Sequence, residues 1–596
     1  MINAEDQYNK RIKKYKSLIN KQTKRVSLLG NLRLLVFLVG TTLTTVLYLK
    51  NSHYLSYSIF AVFLILFIWI AVIHSKVIEN RNYASTIYDI NLNSYKRLKG
   101  EWVDFQDTGE EFIDFNHRYS SDLDIFGKNS LFQFINTSST YVGRLNLKEK
   151  LSSSSKSQED IYLKQEAIHE LSKKISFRQR LMAEGIIFKP LNQSMESLYS
   201  WGKTKEVLYA NFGFISIIRI LPLITIILTI LPFINQRIPF YVPLIMYLLN
   251  SILLLPYSHK RTGILNEVNT YKSTLIAYYN MLKLIEKTKF TSPYLKNIDI
   301  SSSTKKIDKL GKISEMIAIR SSSLYMAIDI LLLWDYQCLI ALEKWKKNCG
   351  RDLEKWIFSI GEIESLSSLS LINFDNPNWV FPNIVKENQL MNCAELGHPL
   401  LSKNRISNSV SFEKNSNILL ITGSNMSGKS TFLRTIGINL VLAYAGAPVC
   451  AKAFKTPIMN IYTCMRVSDN LEASISSFYA ELIRIKMIVS ASKQGESIFF
   501  LLDEIFKGTN SLDRHTGAKV LINQLRSYGS YGLISTHDLE LGELEKESSG
   551  GVRNYHFREY YKNDEIHFDY KLRPGVSTTR NALYLIKMAG LDIEGV

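Results

Sequence analysis

The segment NILLITGSNMSGKSTFLRTIG, residues 417–437, decides the fold of this chain. An apolar run comes before a glycine-rich stretch and a helix-forming stretch comes after it, which predicts a strand, a loop and a helix. The spacing Gly423-x4-Gly428-Lys429-Ser430 is that of a phosphate-binding P-loop, in which backbone N–H groups and the positive end of the helix face the phosphates. We therefore predict an ATP site with the binding residues Gly423, Ser424, Asn425, Met426, Ser427, Gly428, Lys429, Ser430 and Thr431.

A second apolar strand, SIFFLLDE at residues 497–504, ends in two acids and supplies the matching chemistry. Lys429 would reach the β- and γ-phosphates, and Ser430 would hold Mg²⁺. Asp503 would bind the same Mg²⁺ through water, and Glu504 would orient and deprotonate the attacking water. The alternative is a buried strand that ends in two solvated acids. We predict a Mg²⁺-dependent ATP hydrolase.

A third strand, YGLIST at residues 531–536, ends at His537. A polar group at the end of a neighbouring strand can touch the γ-phosphate and report its loss, so His537 is predicted as a sensor. The alternative for a lone histidine is a structural or solvent-exposed role.

Together these motifs resemble the MutS family, the mismatch-repair ATPases that are related to ABC ATPases. The resemblance extends from the ATPase region upstream into a helical core. It is carried by TGSNMSGKSTFLRTIGINLVLAYAGAPVCA (422–451), SISSFYAEL (474–482), LLDEIFKGTNSLD (501–513), STHDLEL (535–541), RPGVSTTRNALYLIKMAGL (573–591), SDLDIFGKNSLFQFINTSSTYVGRLNLKEKL (121–151), KQEAIHELSKK (164–174) and ELGHPLL (395–401).

The resemblance implies a homodimer with composite ATP sites. One subunit would supply Lys429, Glu504 and His537, and the other would supply the signature Ser476 to the γ-phosphate. ATP would join the subunits and hydrolysis would release them, so the two nucleotide states would differ in shape. DNA is the family's ligand. No mismatch-reading domain precedes the core and no nuclease domain is expected after it, so the resemblance does not carry mismatch recognition to this chain.

Four apolar runs predict transmembrane helices in two hairpins. They are Leu34–Leu49, Tyr57–Ile73, Ile215–Ile234 and Ile238–Tyr257, each near bilayer length once flanking residues are added. Buried core helices are the alternative for the second pair. Residues 1–27 hold eight Lys or Arg, and basic residues also follow the second and fourth runs. By the positive-inside rule, both termini and the ATPase region are predicted to be cytoplasmic in a multi-pass protein of the cell membrane.

The composition of the 596-residue chain fits this organisation. Its net charge of +18 favours polyanionic partners, either nucleic acid or an anionic membrane face. The five cysteines show no zinc spacing and no disulfide framework. We predict a multidomain α and α/β protein with a basic segment (1–27), a first hairpin (28–77), a MutS-like core (78–209), a second hairpin (210–258), a helical lever (259–385) and an ABC-type ATPase domain with a C-terminal dimer contact (386–596).

The leading hypothesis is a membrane-anchored MutS-like ATPase, switched by ATP as a dimer, with membrane lipid as a partner and DNA as a possible ligand. One alternative is an ATP-driven transporter, which the almost uncharged spans do not favour. A second alternative is a membrane switch that acts on protein or lipid partners without DNA. A third is a membrane scaffold with an inactive ATPase.

Overall fold

The computed structural model describes most of the chain. The described residues are 3–153, 157–188, 196–203, 211–234, 239, 241–298, 300, 303–386, 390–401, 405–413, 416–424, 426–466, 477–506, 508–562 and 565–577. They form an N-terminal helical hairpin, a helical body that contains a second apolar hairpin, and a C-terminal α/β region with two sheets. The mixed helical and α/β architecture confirms the predicted fold class at this level.

The N-terminal hairpin consists of two continuous helices, Ala4–Leu49 and His53–Leu98, that pack against each other. Each has 46 residues and is therefore about 69 Å long. Their apolar halves meet at the turn, and their polar halves, which we call the stalk (residues 4–27 and 78–98), reach the helical body. The predicted boundaries at residues 27 and 77 fall inside these two helices.

Among the described residues, three helices are long and apolar enough to cross a membrane: both helices of the N-terminal hairpin and Phe212–Ile234. The fourth predicted span corresponds to the 14-residue helix Tyr241–Leu254, which is followed across a 77° bend by Ser258–Thr270. A second bent pair lies further along the chain, and the number of candidate spans rises to five if each bent pair counts as one span.

The helical body surrounds one buried helix, Leu353–Asp375, which we call the central helix. It packs against the helices Tyr141–Ser152 and Gln158–Lys173. The buried carboxylate of Glu364 accepts hydrogen bonds from the N–H and the hydroxyl of Ser139, at 2.8 and 2.7 Å. The helices of this body are Leu131–Ile135, Tyr141–Ser152, Gln158–Lys173, Ile175–Phe188, Glu196–Lys203, Ser258–Thr270, Lys272–Lys287, Pro293–Lys296, Ser303–Ala318, Tyr325–Leu332, Trp334–Cys349 and Leu353–Asp375, with 3-10 turns at Glu101–Asp104, Glu110–Phe112 and Ile319–Ser321.

The C-terminal region contains a four-stranded sheet in the order β1-β5-β2-β3 and a six-stranded sheet in the order β10-β9-β4-β8-β7-β6. In the larger sheet β9, β4, β8, β7 and β6 are parallel, and β10 is antiparallel to β9. The strands are β1 Asn383–Val385, β2 Asn392–Leu396, β3 Asn408–Ser411, β4 Ile418–Thr422, β5 Ala453–Pro457, β6 Asn460–Cys464, β7 Ile498–Asp503, β8 Tyr531–Thr536, β9 Val552–Lys562 and β10 Glu565–Pro574.

Three helices complete this region: the β4 helix Lys429–Tyr444, the signature helix Ser477–Lys493 and the β7 helix Ser511–Ser527, followed by short turns at Glu540–Glu543 and Leu544–Glu547. Strands β4, β7 and β8 are buried along almost their full length because apolar clusters cover both faces of the sheet. Since these three strands are parallel neighbours, their carboxyl ends lie at one edge. The residues that follow them are thereby brought together.

Candidate functional site

The loop between β4 and its helix covers residues 423–428, where the sequence predicts the P-loop. Gly423 and Gly428 have φ angles of 148° and 103°, which residues other than glycine rarely adopt. A Cβ at Gly423 would also lie 3.1 Å from the carbonyl oxygen of Phe557. The segment therefore has the predicted order of strand, glycine turn and helix, with Lys429 as the first helical residue.

Lys429 is almost fully buried, and its ammonium group lies inside the loop. Its Nζ donates to the carbonyl oxygens of Gly423 and Ser424, both at 2.9 Å. Burial lowers the pKa of Lys429, while the neighbouring carboxylates of Glu504 and Asp503 act in the opposite direction. A cation held in a cavity in this way is suited to an anionic ligand.

Glu504 and His537 meet Lys429 at the edge of the sheet. The Glu504 Oε1 atom lies 2.5 Å from His537 Nε2 and 3.7 Å from Lys429 Nζ. Glu504 has a φ of 52°, an uncommon conformation for a residue with a side chain, and its N–H donates to the carbonyl oxygen of Ser535 at 3.0 Å. The pairing of β7 with β8 thus holds a strained backbone and directs the carboxylate toward the loop.

Asp503 occupies the last position of β7, opposite Ser535 of β8. The Ser535 hydroxyl donates to Asp503 Oδ1, which fixes the carboxylate at the same edge. Ser427 is also buried here, and its hydroxyl has no hydrogen-bond partner among the described residues. Of the predicted site residues, Asn425 and Ser476 lie outside the part of the chain that the structure describes.

A cavity of about 390 Å³ opens in front of the loop. Predicted residues that line it include Ser424, Met426, Gly428, Lys429, Ser430, Thr431 and Glu504. The sequence reasoning missed the rest of its wall. Phe432 and Thr435 lie on the β4 helix, Phe557 and Tyr570 come from β9 and β10, and the remaining residues come from the segment before β4: Leu396, His398, Leu401, Arg405, Ile406 and Asn408.

His398 and Glu559 are the most distinctive polar residues among those that were missed. Burial, with Arg434 and Arg405 nearby, lowers the pKa of His398 to about 4, so its imidazole is neutral at physiological pH. Glu559 on β9 is buried and accepts a hydrogen bond from the Ser424 hydroxyl. His398 lies in the ELGHPLL segment, which the sequence analysis used only as part of the family resemblance. Glu559 is an isolated acid among the aromatic residues of a strand, a pattern that does not predict a ligand site.

The signature helix contacts the site through Glu481, whose carboxylate accepts the backbone N–H of Phe506 in the loop after β7. A second cavity of about 580 Å³ lies on the other side of Glu504. It is bordered by His515 and Asp538, whose Nδ1 and Oδ2 atoms are 2.7 Å apart. This edge of the sheet is therefore open on two sides.

Comparison with known proteins finds a family match in the same region of the chain. Residues 419–594 match the family model of MutS domain V. The DNA mismatch repair protein MutS of Aquifex pyrophilus is 30% identical over 242 residues, which are 40% of this chain and 28% of that protein. The same-named protein of Listeria monocytogenes serotype 4a is 30% identical over 265 residues, which are 43% of this chain and 30% of that protein. The DNA mismatch repair protein MutS of Lactobacillus johnsonii is 26% identical over 344 residues, which are 56% of this chain and 39% of that protein.

These matches cover less than two fifths of the length of each relative. The domain V match spans the segment that contains Lys429, Glu504 and His537, and the matches to these relatives, over 242 to 344 residues, are longer than that domain. The domain match and the relatives agree with the sequence motifs, and over residues 419–594 the chain is related to the MutS family through a match to its domain V.

Proposed function

We propose that this chain is a membrane-anchored MutS-like ATPase that hydrolyses ATP with Mg²⁺ at the 423–431 loop and works as an ATP-switched dimer. The convergence of Lys429, Glu504 and His537 carries this proposal. These three side chains come from three separate elements and lie within 4 Å of one another, beside a cavity that the glycine loop borders. A phosphate-binding cation, a base and a polar sensor are the groups that ATP hydrolysis needs.

The residues of the site fit both the phosphates of ATP and a Mg²⁺ ion. The unpartnered Ser427 hydroxyl and the N-terminal end of the β4 helix are donors that phosphate oxygens would satisfy. Ser430 and Asp503 would hold Mg²⁺, because hydroxyl and carboxylate oxygens are the ligands that this ion prefers. When bound, Mg²⁺ neutralises charge on the phosphates.

In the proposed reaction, Glu504 accepts a proton from a water molecule as the water oxygen bonds to the γ-phosphorus. The bond from that phosphorus to the β,γ-bridging oxygen breaks, and the products are ADP and inorganic phosphate. Glu504 is engaged by Lys429 and His537 in this structure. An anionic γ-phosphate would compete for Lys429 and leave the carboxylate free to orient water, and His537 would sense the phosphate.

The dimer would complete the site from the open side. Ser476 stands directly before the signature helix, and Glu481 of that helix already contacts the loop after β7. In the proposed dimer, Ser476 of one subunit reaches the γ-phosphate bound by the other. Loss of that phosphate would weaken the interface and change the shape of the helical body.

The N-terminal hairpin and the second hairpin would anchor the protein in the cell membrane, with the ATPase region in the cytoplasm. The exposed surface of the apolar halves supports this, because Leu34, Phe37, Ile65 and Trp69 are all more than half exposed. Side chains of this kind in such number need a lipid or protein environment.

DNA is the second candidate partner, and the stalk favours it. Six basic residues of the first helix lie within about one third of its circumference, and none forms an ion pair with a described residue: Lys10, Lys13, Lys14, Lys21, Lys24 and Arg25. Lys14 is 14 residues before Leu28, so it lies about 20 Å from the apolar half. The Debye length is only about 8 Å at physiological salt. Contact with lipid headgroups therefore accounts for the basic residues near Leu28, but not for Lys10, Lys13 and Lys14, which lie farther from the apolar half.

The ATPase proposal is tested on the full chain in detergent. We expect Glu504→Gln to lower the ATP turnover rate by about 10² to 10⁴-fold while ATP binding is retained. Lys429→Ala should weaken ATP binding as well as turnover, and Glu547→Gln, an exposed surface acid, is the matched control. Normal turnover in Glu504→Gln would exclude this residue as the base.

The DNA proposal is tested by binding of duplex DNA across a salt series. Replacement of Lys10, Lys13 and Lys14 by glutamine should reduce the affinity for duplex DNA. The slope of log affinity against log salt concentration should also decrease, by the amount expected for the loss of about two to three phosphate contacts. If the intact chain binds neither perfect, mismatched nor branched duplexes, the stalk serves another polyanion and the DNA candidate is rejected.

A further inference from the structure

The segment Leu324–Leu333 forms an apolar helical element that the sequence interpretation assigned to the cytoplasmic lever. Its helix Tyr325–Leu332 reads YMAIDILL, with a single charged residue. At Leu333 the backbone enters the left-handed region with a φ of 48°, and the chain bends by 71° into the helix Trp334–Cys349. That next helix carries Glu343, Lys344, Lys346 and Lys347, so it does not continue the apolar character.

The outer surface of this element is apolar and uncovered. Leu324 is 68% exposed and Met326 is 74% exposed. The one acid, Asp329, faces inward and is 6% exposed. Its carboxylate accepts the N–H of Asp335 at 2.9 Å and the hydroxyl of Tyr325 at 3.2 Å. The polar groups of the segment are thus kept away from the exterior, which is the reverse of the arrangement at a water-facing helix.

The element is joined to the second hairpin by a buried polar contact. Asn250, on the apolar helix Tyr241–Leu254, is fully buried and donates from Nδ2 to the carbonyl oxygen of Ile330 at 2.8 Å and to Thr225 Oγ1 at 3.2 Å. A hydrogen bond requires its two partners to lie at the same depth. If the second hairpin is in the bilayer, Ile330 is there too.

A buried cluster of charges marks the inner limit of the element. Asp335 lies 3.2 Å from Arg261 Nε and 3.7 Å from Arg320 Nε. Arg261 also donates to the carbonyl oxygen of Leu254 at 2.9 Å, at the end of the apolar helix. Leu333 is fully buried and stands in the chain between the exposed Met326 and Asp335 of this cluster, so the irregular backbone at the bend is enclosed by protein.

We infer that Leu324–Leu333 is a half-inserted membrane element whose outer face contacts lipid acyl chains of the cytoplasmic leaflet. Eight helical residues span about 12 Å, against about 30 Å for the hydrocarbon core, so the element enters the leaflet and returns without crossing. It continues the lipid-facing surface of the second hairpin, where Leu248 and Ile252 are also more than half exposed. This inference rests on the proposed membrane anchorage.

The test uses the full chain in liposomes with an environment-sensitive bimane label on Met326→Cys. The matched controls are Ile252→Cys on the second hairpin, 57% exposed, and Val520→Cys on the β7 helix, 60% exposed. All five native cysteines are buried, so the unsubstituted protein gives the labelling background. The ATP turnover rate of each variant, which alters only a surface position, serves as a check of folding.

We expect the label at Met326→Cys to be quenched by nitroxide lipids and shielded from aqueous iodide, as at Ile252→Cys. A nitroxide at carbon 5 of the acyl chain should quench it more strongly than one at carbon 12, because the element is short. If iodide quenches it as strongly as Val520→Cys while Ile252→Cys remains shielded, the half-inserted element is rejected and the anchorage stands. If Ile252→Cys is also open to iodide, the proposed anchorage at this hairpin fails, and this inference fails with it.

Discussion

Asp122 joins the helical core to the ATPase region, and its replacement gives the sharpest structural prediction. Its side chain is fully buried. The Oδ2 atom accepts hydrogen bonds from Thr463 Oγ1 at 2.7 Å, Met465 N at 3.1 Å and Arg484 Nη1 at 2.9 Å, and Oδ1 accepts the N–H of Arg466 at 3.0 Å. Arg484 belongs to the signature helix, so one carboxylate connects the core, the end of β6 and the helix that follows Ser476.

The cost of Asp122→Asn follows from these contacts. The substitution removes the negative charge that faces Arg484 and places an NH₂ group among donors, so one of the accepting oxygens is lost. Removal of one partner from a buried pair costs about 3–5 kcal/mol. Arg484 is 18% exposed and also donates to the carbonyl oxygen of Phe115 at 2.6 Å, so the lower end of this range applies. For a C-terminal ATPase region of about 200 residues that unfolds as one unit, the melting temperature changes by about 2–4 °C per kcal/mol, so it should fall by roughly 6–12 °C.

Asp124→Asn is the matched control two residues away. Asp124 also pairs with arginines, Arg434 and Arg466, but its side chain is 30% exposed. The expected loss is about 1 kcal/mol, since solvent screens exposed ion pairs. The assay is thermal unfolding of the full chain in detergent at one scan rate, together with ATP turnover. Equal melting temperatures for the two variants would show that the buried carboxylate does not hold the two regions together.

Three further predictions concern stability. His398 contributes stability that is present above pH 6.5 and is lost as the pH falls toward its folded pKa of about 4, so the melting temperature should fall more steeply between pH 6.5 and 4 than that of His398→Gln. Tyr8→Phe removes the 2.7 Å hydrogen bond that the Tyr8 hydroxyl donates to Asp375, and burial raises the pKa of Asp375 to about 6. The free energy of unfolding should therefore fall by about 1.5–3 kcal/mol at pH 8, where the carboxylate is charged, and by less at pH 5. Gly143→Ala should cost about 1–3 kcal/mol by thermal unfolding, because its Cβ would clash with a carboxylate oxygen of the buried Glu364. The control Gly311→Ala has open space around its Cβ and should stabilise its helix by roughly 0.5–1 kcal/mol.

Much of the candidate site follows from local sequence. Glu504 and His537 stand at the ends of apolar runs, and Lys429 follows the glycine loop after a third run, so the chain order of strands and polar ends was sufficient to predict that they meet. His398 and Tyr570 were not predictable in this way, because they reach the cavity from the other sheet and from β10. Their positions depend on how segments more than 100 residues apart in the chain pack together, and neither has a motif around it that points to a ligand.

The membrane segments show the same division. Hydropathy along the chain predicted four spans, since about twenty apolar residues are a local property, and three helices of the described residues are long and apolar enough to cross a membrane. It did not distinguish Tyr325–Leu332 from an ordinary buried helix segment, because eight apolar residues fit either one. The exposed outer face of that helix and its contact with Asn250 became visible only in the folded chain.

The sequence by itself determined the resemblance to MutS domain V, the P-loop pattern and the apolar runs, since each depends on residues that are close together in the chain. Only the tertiary structure decided that the basic N-terminal residues form a stalk reaching about 35 Å beyond the apolar half, because helix continuity through residue 27 depends on packing against the returning helix. It also decided that Asp122 connects the core to the signature helix. A buried carboxylate is stable only where several donors converge on it, and those donors come from residues about 340 positions later in the chain.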